Sequence, residues 1–248
     1  MAISPFNAKS LFHHAATGYV VLLISLTLTG IAWQQSLEFS KHRENDQFAF
    51  QVREIESAVR QRMSEYARVL QAGVALHNAS ERVDRSEWKA FISGLDLQAN
   101  YPGTQGIGVS IPILPEQLSA HLVSVRAEGF PEYSVRPPGE RDLYTSIVFL
   151  EPFDWRNQRA FGFDMYSEPM RREAMDRAIE SGQASISRSV TLVQETDTEV
   201  QAGFLMYFPI YSKPLSADAD AVVRRQHLQG FVYAVLRADD LMQNILSN

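Results

Sequence analysis

The chain has 248 residues, of which 45% are hydrophobic and 21% charged, a composition typical of a globular protein. It contains no cysteine, which excludes disulfides, thiolate metal sites and a cysteine nucleophile. Its formal net charge is −6 and no basic stripe is evident, so nucleic acid is a poor candidate partner. The length suggests one large domain or two small ones.

The first element along the chain is an uncharged apolar segment. Residues Ala15–Trp33 carry no charged side chain, and nineteen residues of helix span roughly 28 Å, close to the hydrocarbon thickness of a bilayer. A cleaved signal peptide is the alternative, because Gly30-Ile31-Ala32 offers a small-x-small site. The apolar run is longer than the usual signal core of about 7–15 residues. We therefore predict a transmembrane helix over 15–33, a cytoplasmic tail over 1–14, and a periplasmic or extracellular domain on a cell (inner) membrane.

A long helix without proline is predicted next. Between Gln34 and His77, apolar residues recur three or four positions apart, which is the spacing of one helix face. They are Val52, Ile55, Val59, Met63, Tyr66, Leu70 and Val74. This face packs on its own domain, pairs with a second protomer, or does both. We predict a stalk helix over 34–80 and expect a homodimer through it.

The remaining elements alternate between helices and strands. Asp84 and Glu87 have the spacing of a capping box that begins a helix. Strands are predicted at Gly106–Ile111, Tyr144–Leu150, Ala160–Met165, Ala184–Val193, Ala202–Ile210 and Gly230–Arg237. Helices are predicted at Pro115–Glu128, from Ser167 or Glu168 through Ile179 with a stop at Ser181-Gly182, and from Asp239 or Asp240 onward. A polar loop is predicted at Lys213–Arg225. Short connections favour antiparallel pairing, so the expected fold class is α+β with mainly antiparallel sheets.

The sequence offers little that is typical of an enzyme. None of the six histidines is spaced as a metal ligand, and Gly-x-Ser-x-Gly, HExxH and phosphate-binding glycine-rich motifs are absent. Glu151 and Asp154 form a carboxylate pair near a predicted strand end, where acids more often cap helices or contact ligands than catalyse. We predict no catalytic residue, no metal and no cofactor.

Aromatic side chains are concentrated on the predicted strands between residues 149 and 211. They are Phe149, Phe153, Trp155, Phe161, Phe163, Phe204, Tyr207 and Phe208. An apolar concavity with a few placed polar groups is typical of a small-molecule pocket. The same composition is typical of an ordinary sheet core, so it does not decide between the two.

An ordered series of short motifs resembles a known family. The series runs through Ile147–Pro152, Gly162–Met165, Pro169–Ala174, Ala178–Gly182, Thr191-Leu192, Gly203–Tyr211 and Gly230-Phe231-Val232. Together these motifs resemble the CHASE domain, the extracytoplasmic sensor of many histidine kinases, diguanylate cyclases and plant cytokinin receptors. The resemblance covers about residues 80–237 and is strongest over 145–211.

The resemblance implies an architecture. It implies a long stalk helix, two tandem PAS-like α/β subdomains, dimers, and a second transmembrane helix that leads to a cytoplasmic kinase or cyclase. We accordingly assign 81–239 to the sensor domain and 240–248 to the start of an exit helix. The output module is expected to lie beyond residue 248.

The resemblance also implies where a ligand would bind. In plant members, an aspartate after the strand that matches Ile147–Leu150 hydrogen-bonds an adenine-type ligand, and the nearest acid here is Glu151. The family's pocket threonine falls on Ser187, while Asp164 is expected to cap the following helix and Arg171 matches a common arginine. Both substitutions weaken the case for a cytokinin. With strand parity as a further guide, the predicted ligand-binding residues are Phe149, Glu151, Ser187, Val190, Leu192, Phe204 and Met206.

We therefore expect a membrane-anchored receptor domain that binds a small organic molecule and relays a conformational signal. The alternative is a membrane-tethered interaction or structural protein without a small ligand. That alternative predicts a filled, dry core where the pocket is expected.

Overall fold

A computed structural model of the protein describes residues 8–194, 202–216 and 218–247, with the backbone alone at 8–18, 36–46 and 247. The chain divides into two units, Met1–Ser57 and Ala58–Asn248. Helix α1 spans Ala8–Ala79 and contributes residues to both units.

In the first unit, α1 exposes a run of large apolar side chains. From Tyr19 to Trp33 these side chains are 51–73% exposed. Among the helices whose side chains the structure describes, none is both long and apolar enough to cross a membrane. The predicted span 15–33 begins with residues 15–18, which lie outside the described side chains.

The second unit is built on antiparallel strands. They are β1 (Thr104–Ile113), β2 (Tyr144–Glu151), β3 (Ser185–Ile186), β4 (Val190–Thr191), β5 (Ala202–Tyr211) and β6 (Leu228–Arg237). The strand order is β2-β1-β6-β5-β3, and β4 also pairs with β5. The α+β class with antiparallel pairing is confirmed. The strands of the described residues form a single sheet, so the division into two PAS-like subdomains is not confirmed.

Helices connect and cover these strands. They are α2 (Arg85–Leu95), α3 (Leu97–Asn100), α4 (Leu118–Ala127), α5 (Trp155–Gln158), α6 (Pro169–Ser181), α7 (Ala221–Gln226) and α8 (Ala238–Ser247). The predicted capping box is present, since the Asp84 carboxylate accepts from the Glu87 N–H and the Glu87 carboxylate accepts from the Asp84 N–H. Glu168 caps α6, which ends at Gly182 with a φ of 68°.

Three predicted elements are wrong in detail. Residues 160–165 do not form a continuous strand, because the chain turns at Gly162, which has a φ of 82° and where a Cβ would overlap the carbonyl oxygen of Ser134. After this turn, Phe163 and Asp164 form only isolated bridges, with Arg136 and Ser146 respectively. Residues 184–193 form the two short strands β3 and β4. The predicted loop 213–225 contains most of α7, which Asp220 begins by accepting a hydrogen bond from the Val223 N–H.

Two hydrophobic clusters lie on opposite faces of the sheet. The stalk face is covered by residues of α1, α2, α3 and α8, and it buries among others Leu70, Trp88 and Val232. The α6 face is covered by α6 and the turn before it, and it buries among others Met165 and Met175. Because side chains alternate along a strand, neighbouring residues of β5 and β6 belong to different faces.

Candidate functional site

The α6 face contains buried polar side chains that are incompletely paired. Among the described residues, buried atoms without a hydrogen-bond partner include Ser110 Oγ, Asp164 Oδ2, Arg171 Nε and Tyr233 OH. These four residues are 0–2% exposed. Most buried polar groups in proteins are hydrogen-bonded, and an unpaired group costs about 1–3 kcal/mol. We call Ser110, Arg171, Tyr207 and Tyr233 the buried polar cluster.

Arg171 is the charged member of this cluster, and its Nε has no hydrogen-bond partner among the described residues, although its guanidinium also lies 4.9 Å from the centre of the Phe163 ring. Its Nη1 donates to Met165 Sδ at 3.4 Å, and its Nη2 donates to the Thr191 carbonyl at 3.1 Å. The nearest carboxylate oxygen, on Glu168, lies 3.8 Å from Nε. A thioether is a weak acceptor, and a buried guanidinium is stabilised when a close acceptor satisfies its donors. Arg171 therefore keeps capacity for another acceptor.

The two tyrosines are neighbours on β5 and β6. Their ring centroids are 6.2 Å apart, and the Tyr207 hydroxyl donates to the same Met165 sulfur at 3.6 Å. Burial raises the pKa of both phenols well above the usual value, so both remain protonated donors. The Tyr233 hydroxyl lies over Gly108, where a Cβ would come within 2.7 Å of it.

Ser110 lies two residues beyond Gly108 on β1, and its cross-strand partners are Phe231 and Ile147. Both partners belong to the α6-face cluster, so the Ser110 side chain faces the same interior. Its hydroxyl is fully buried and has no partner. Ser110 and Tyr233 therefore lie on the same face of the sheet, on the neighbouring strands β1 and β6.

Asp164 precedes the turn that covers the α6 face, and its carboxylate hydrogen-bonds backbone N–H groups there. Its Oδ1 accepts from the N–H groups of Thr145 at 2.8 Å and Tyr166 at 3.1 Å. It therefore caps the turn Met165–Ser167, one turn earlier than the helix that we expected it to cap. The Arg141 Nε lies 3.4 Å from Oδ2 without hydrogen-bond geometry.

The structure divides the predicted ligand-binding residues between the two faces. Phe149, Phe204 and Met206 belong to the stalk face, whereas Val190 and Leu192 belong to the α6 face. The reason is strand parity, because Val190 pairs with Gly203 and the side chain of the next residue on β5, Phe204, points to the opposite face. These five residues do not line one pocket.

The two polar residues of that prediction are also placed apart. Glu151 ends β2, accepts from the Phe153 N–H at 2.9 Å, and lines an open cleft of about 550 Å³ with residues of α2 and α3. Burial raises its pKa. The Ser187 hydroxyl accepts from the Leu205 N–H at 3.0 Å and donates to the Arg188 carbonyl at 2.7 Å. It therefore hydrogen-bonds the backbone between β3 and β5 and does not face a ligand pocket.

The predicted ligand-binding residues do not include Ser110, Tyr207 or Tyr233, although Tyr207 belongs to the aromatic group noted on the strands. Tyr207 and Tyr233 lie in strands that were correctly predicted, and a tyrosine inside an apolar strand is a visible signal. What the sequence does not show is that Tyr233 and Ser110 share one face and that their hydroxyls have no partner. That depends on the pairing of β1 with β6.

Comparison with known proteins gives one family result. A family model described as the CHASE domain matches residues 81–248, more than half of the chain. No curated protein matches the sequence. Within the described residues, no group of three or more histidine, cysteine or acidic side chains is arranged to hold a metal ion.

Proposed function

The chain belongs to the CHASE-domain family, whose members are extracytoplasmic sensor domains of signalling receptors, and on that premise we propose that it binds a small organic ligand on the α6 face. The family is sensory and not catalytic. The observation that carries the proposal is the buried polar cluster, in which Arg171, Tyr233 and Ser110 hold unpaired donors inside the fold.

Buried donors without a partner lower the stability of the ligand-free protein. Folding removes the donors of Ser110, Arg171 and Tyr233 from water without giving them a hydrogen-bond partner, and this desolvation costs free energy even without a ligand. A ligand that offers acceptors, such as carbonyl, carboxylate or ring nitrogen atoms, restores those hydrogen bonds without desolvating the protein further. Met165 is flexible and polarizable, so its side chain can rearrange to admit such a ligand.

A route from this site to α1 runs across β6. Tyr233 faces the proposed ligand, and its neighbour Val232 packs on the opposite face against α1. At Gly73 of α1, an added Cβ would lie 3.1 Å from Val232 Cγ1 and 3.3 Å from the Trp88 ring. Because α1 packs this closely on Val232, a shift of β6 on ligand binding would also displace α1 and favour a second packing of the helix.

We extend the proposal to the relay across a membrane. The predicted segment 15–33 would be the anchor, and the support for it is the uncharged sequence and the exposed apolar side chains from Tyr19 to Trp33. The sensor domain would lie outside the cytoplasm, and a kinase or cyclase module would receive the signal inside. Membrane extraction of the expressed full chain tests the anchor, since release by carbonate at high pH would contradict it.

We also propose that the stalk forms a homodimer. Phe48, Phe50 and Val52 of α1 are 46–68% exposed, which is unusual for a group of large apolar side chains. Phe48→Glu with Val52→Glu should weaken the dimer measured by sedimentation, because the two residues are one helical turn apart. The control is Gln51→Glu. Unchanged dimer affinity in the double variant would contradict a stalk interface.

A thermal-shift screen of the full chain tests the ligand site. The panel contains purines, amino acids, organic acids and short peptides. A ligand present at about 100 times its dissociation constant stabilises the fold by roughly 2.7 kcal/mol, which raises the melting temperature measurably. A compound bound on the α6 face should bind more weakly to Ser110→Ala and equally well to Ser124→Ala, whose side chain lies on the other side of the sheet. A hit with the reverse pattern would contradict the assignment, and a panel without a hit would favour an interaction protein.

A further inference from the structure

The stalk face contains a cavity that none of the arguments above uses. It has a volume of about 320 Å³ and lies between the last turn of α1, the connector before α2, helix α4 and the sheet. The volume is at the lower end of the range for small-molecule pockets. Its floor is aliphatic and is formed by side chains of β1, β2 and β5, namely Val109, Ile111, Val148 and Ile210.

Charged groups of both signs lie at the rim of this cavity. Arg85 is fixed, since its Nε donates to Glu128 at 2.9 Å and its Nη1 donates to the Val148 carbonyl at 2.7 Å. Its guanidinium also lies over three aromatic rings, 4.4 Å from that of Phe130 and 5.1–5.2 Å from those of Phe149 and Phe161. Arg85 and Glu128 therefore satisfy each other and are not free for a ligand.

The next two charges are adjacent in sequence and loosely held. The Arg82 side chain is 80% exposed, and its Nη2 lies 3.6 Å from Glu128 Oε1, which is too far for a hydrogen bond, whereas Arg85 holds the other oxygen, Oε2, at 2.9 Å. Glu81 also lines the cavity and is exposed. In the described part of the chain Glu81 forms no ion pair. The rim thus offers one available cation and one available anion above an apolar floor.

The histidines of the cavity add no charge near neutral pH. His77 Nδ1 lies 3.0 Å from the Gly73 carbonyl, which fixes the tautomer and leaves Nε2 as an acceptor. His121 Nε2 lies 2.9 Å from the Tyr133 hydroxyl. Burial lowers the pKa of both rings, which keeps them neutral.

We infer that this cavity is a second ligand site, which takes an α-amino acid with an apolar side chain. The ligand carboxylate would pair with Arg82 and the ammonium group with Glu81, while the side chain would lie on the aliphatic floor. A fork-shaped guanidinium suits a carboxylate, and an ammonium group can donate to both Glu81 and His77 Nε2. His77 of α1 lines the site, so a bound ligand would contact the last turn of the stalk helix directly.

Four small probes dissect the proposal by titration calorimetry on the full chain. L-leucine carries all three features, 4-methylpentanoate lacks the ammonium group, isopentylamine lacks the carboxylate, and glycine lacks the apolar side chain. We expect leucine to bind and each of the other three to bind at least tenfold more weakly. Equal binding of leucine and 4-methylpentanoate, or no binding of leucine, would overturn the proposal.

Matched variants locate the binding. Arg82→Gln and Glu81→Gln should each weaken leucine binding at least fivefold, whereas Arg172→Gln and Glu116→Gln, on exposed residues away from the cavity, should leave it unchanged. Tyr233→Phe should also leave leucine binding unchanged, because that hydroxyl lies on the α6 face. Leucine binding that is lost in Tyr233→Phe and retained in Arg82→Gln would overturn this inference and would support the α6-face site instead.

Discussion

The two faces of the sheet place their arginine side chains in opposite surroundings. On the stalk face, Arg82 and Glu128 lie at the rim of a cavity that water reaches, so their charges cost little. On the α6 face, Arg171 and Tyr233 lie inside the fold, where an unpaired donor is expensive. A cavity with exposed charges at its rim thus marks the first face as a candidate site, whereas buried donors without partners mark the second.

The largest expected effect concerns the apolar core of the stalk face. Trp88 is 1% exposed and packs beside Phe91, Phe149 and His77, with ring centroids 5.6–6.3 Å away. Trp88→Ala should lower the free energy of unfolding by about 3–5 kcal/mol, measured by urea denaturation. Trp155→Ala, at a residue that is 60% exposed, should change it by less than about 0.5 kcal/mol. A similar loss of unfolding free energy in both variants would contradict the assignment of Trp88 to the core and Trp155 to the surface.

The second effect concerns the space beneath Tyr233. In Gly108→Ala the new methyl group would overlap the Phe149 carbonyl oxygen and lie 2.7 Å from the Tyr233 hydroxyl, so we expect a loss of about 1–3 kcal/mol. Gly94→Ala is the control, because nothing lies within 4 Å of its added Cβ inside α2. The control should gain roughly 0.5–1 kcal/mol. A stable Gly108→Ala protein would show that β1 and Tyr233 are not closely packed.

A third effect separates paired from unpaired hydroxyls. Tyr233→Phe removes a donor that has no partner, so the free energy of unfolding should stay equal or rise by up to about 1 kcal/mol. Tyr144→Phe removes a hydrogen bond of 2.9 Å to the Gly139 carbonyl and should lower it by about 0.5–1.5 kcal/mol. Denaturant unfolding of both variants measures the difference. A marked loss in Tyr233→Phe would show that its hydroxyl has a partner in the folded protein.

The smallest effect is a pH dependence from the stalk-face cavity. Burial lowers the pKa of His77 and His121, although Glu128 partly opposes this at His121. The unfolded chain therefore binds protons more readily, so stability is full above about pH 6.5 and falls as the pH drops toward the folded pKa values. Urea unfolding between pH 7.5 and 5.5 should show this loss, and His77→Gln with His121→Gln should reduce it. A profile unchanged by the double variant would contradict neutral buried histidines.

The sequence predicts an element correctly where a local signal, such as a helix cap, a glycine after a helix or an apolar run, determines where it begins or ends. The capping box of Asp84 and Glu87, the end of α6 at Gly182 and the apolar strand β6 all lie where local chemistry predicts them. Residues 160–165 were predicted to be a strand because their pattern is apolar. The turn at Gly162 prevents it through close approach to the Ser134 backbone, which is distant in sequence.

The candidate site was less predictable for a different reason. Five of the predicted residues are apolar positions on strands, and a shift of one residue moves such a side chain to the opposite face. Arg171 was noted but not assigned to the ligand site, and Tyr233 and Ser110 share one face only through the register of β1 with β6. Unpaired buried donors are a property of tertiary packing, and no local pattern encodes them.

The most direct test of the α6-face site is titration calorimetry with the strongest compound from the ligand panel. The full chain is compared with Tyr233→Phe and, as the stalk-face control, with Arg82→Gln. We expect the affinity to fall about tenfold in Tyr233→Phe, which corresponds to about 1.4 kcal/mol, and to stay unchanged in Arg82→Gln. An affinity that is unchanged in Tyr233→Phe and reduced in Arg82→Gln would contradict this expectation, because the sensed ligand would then lie on the stalk face.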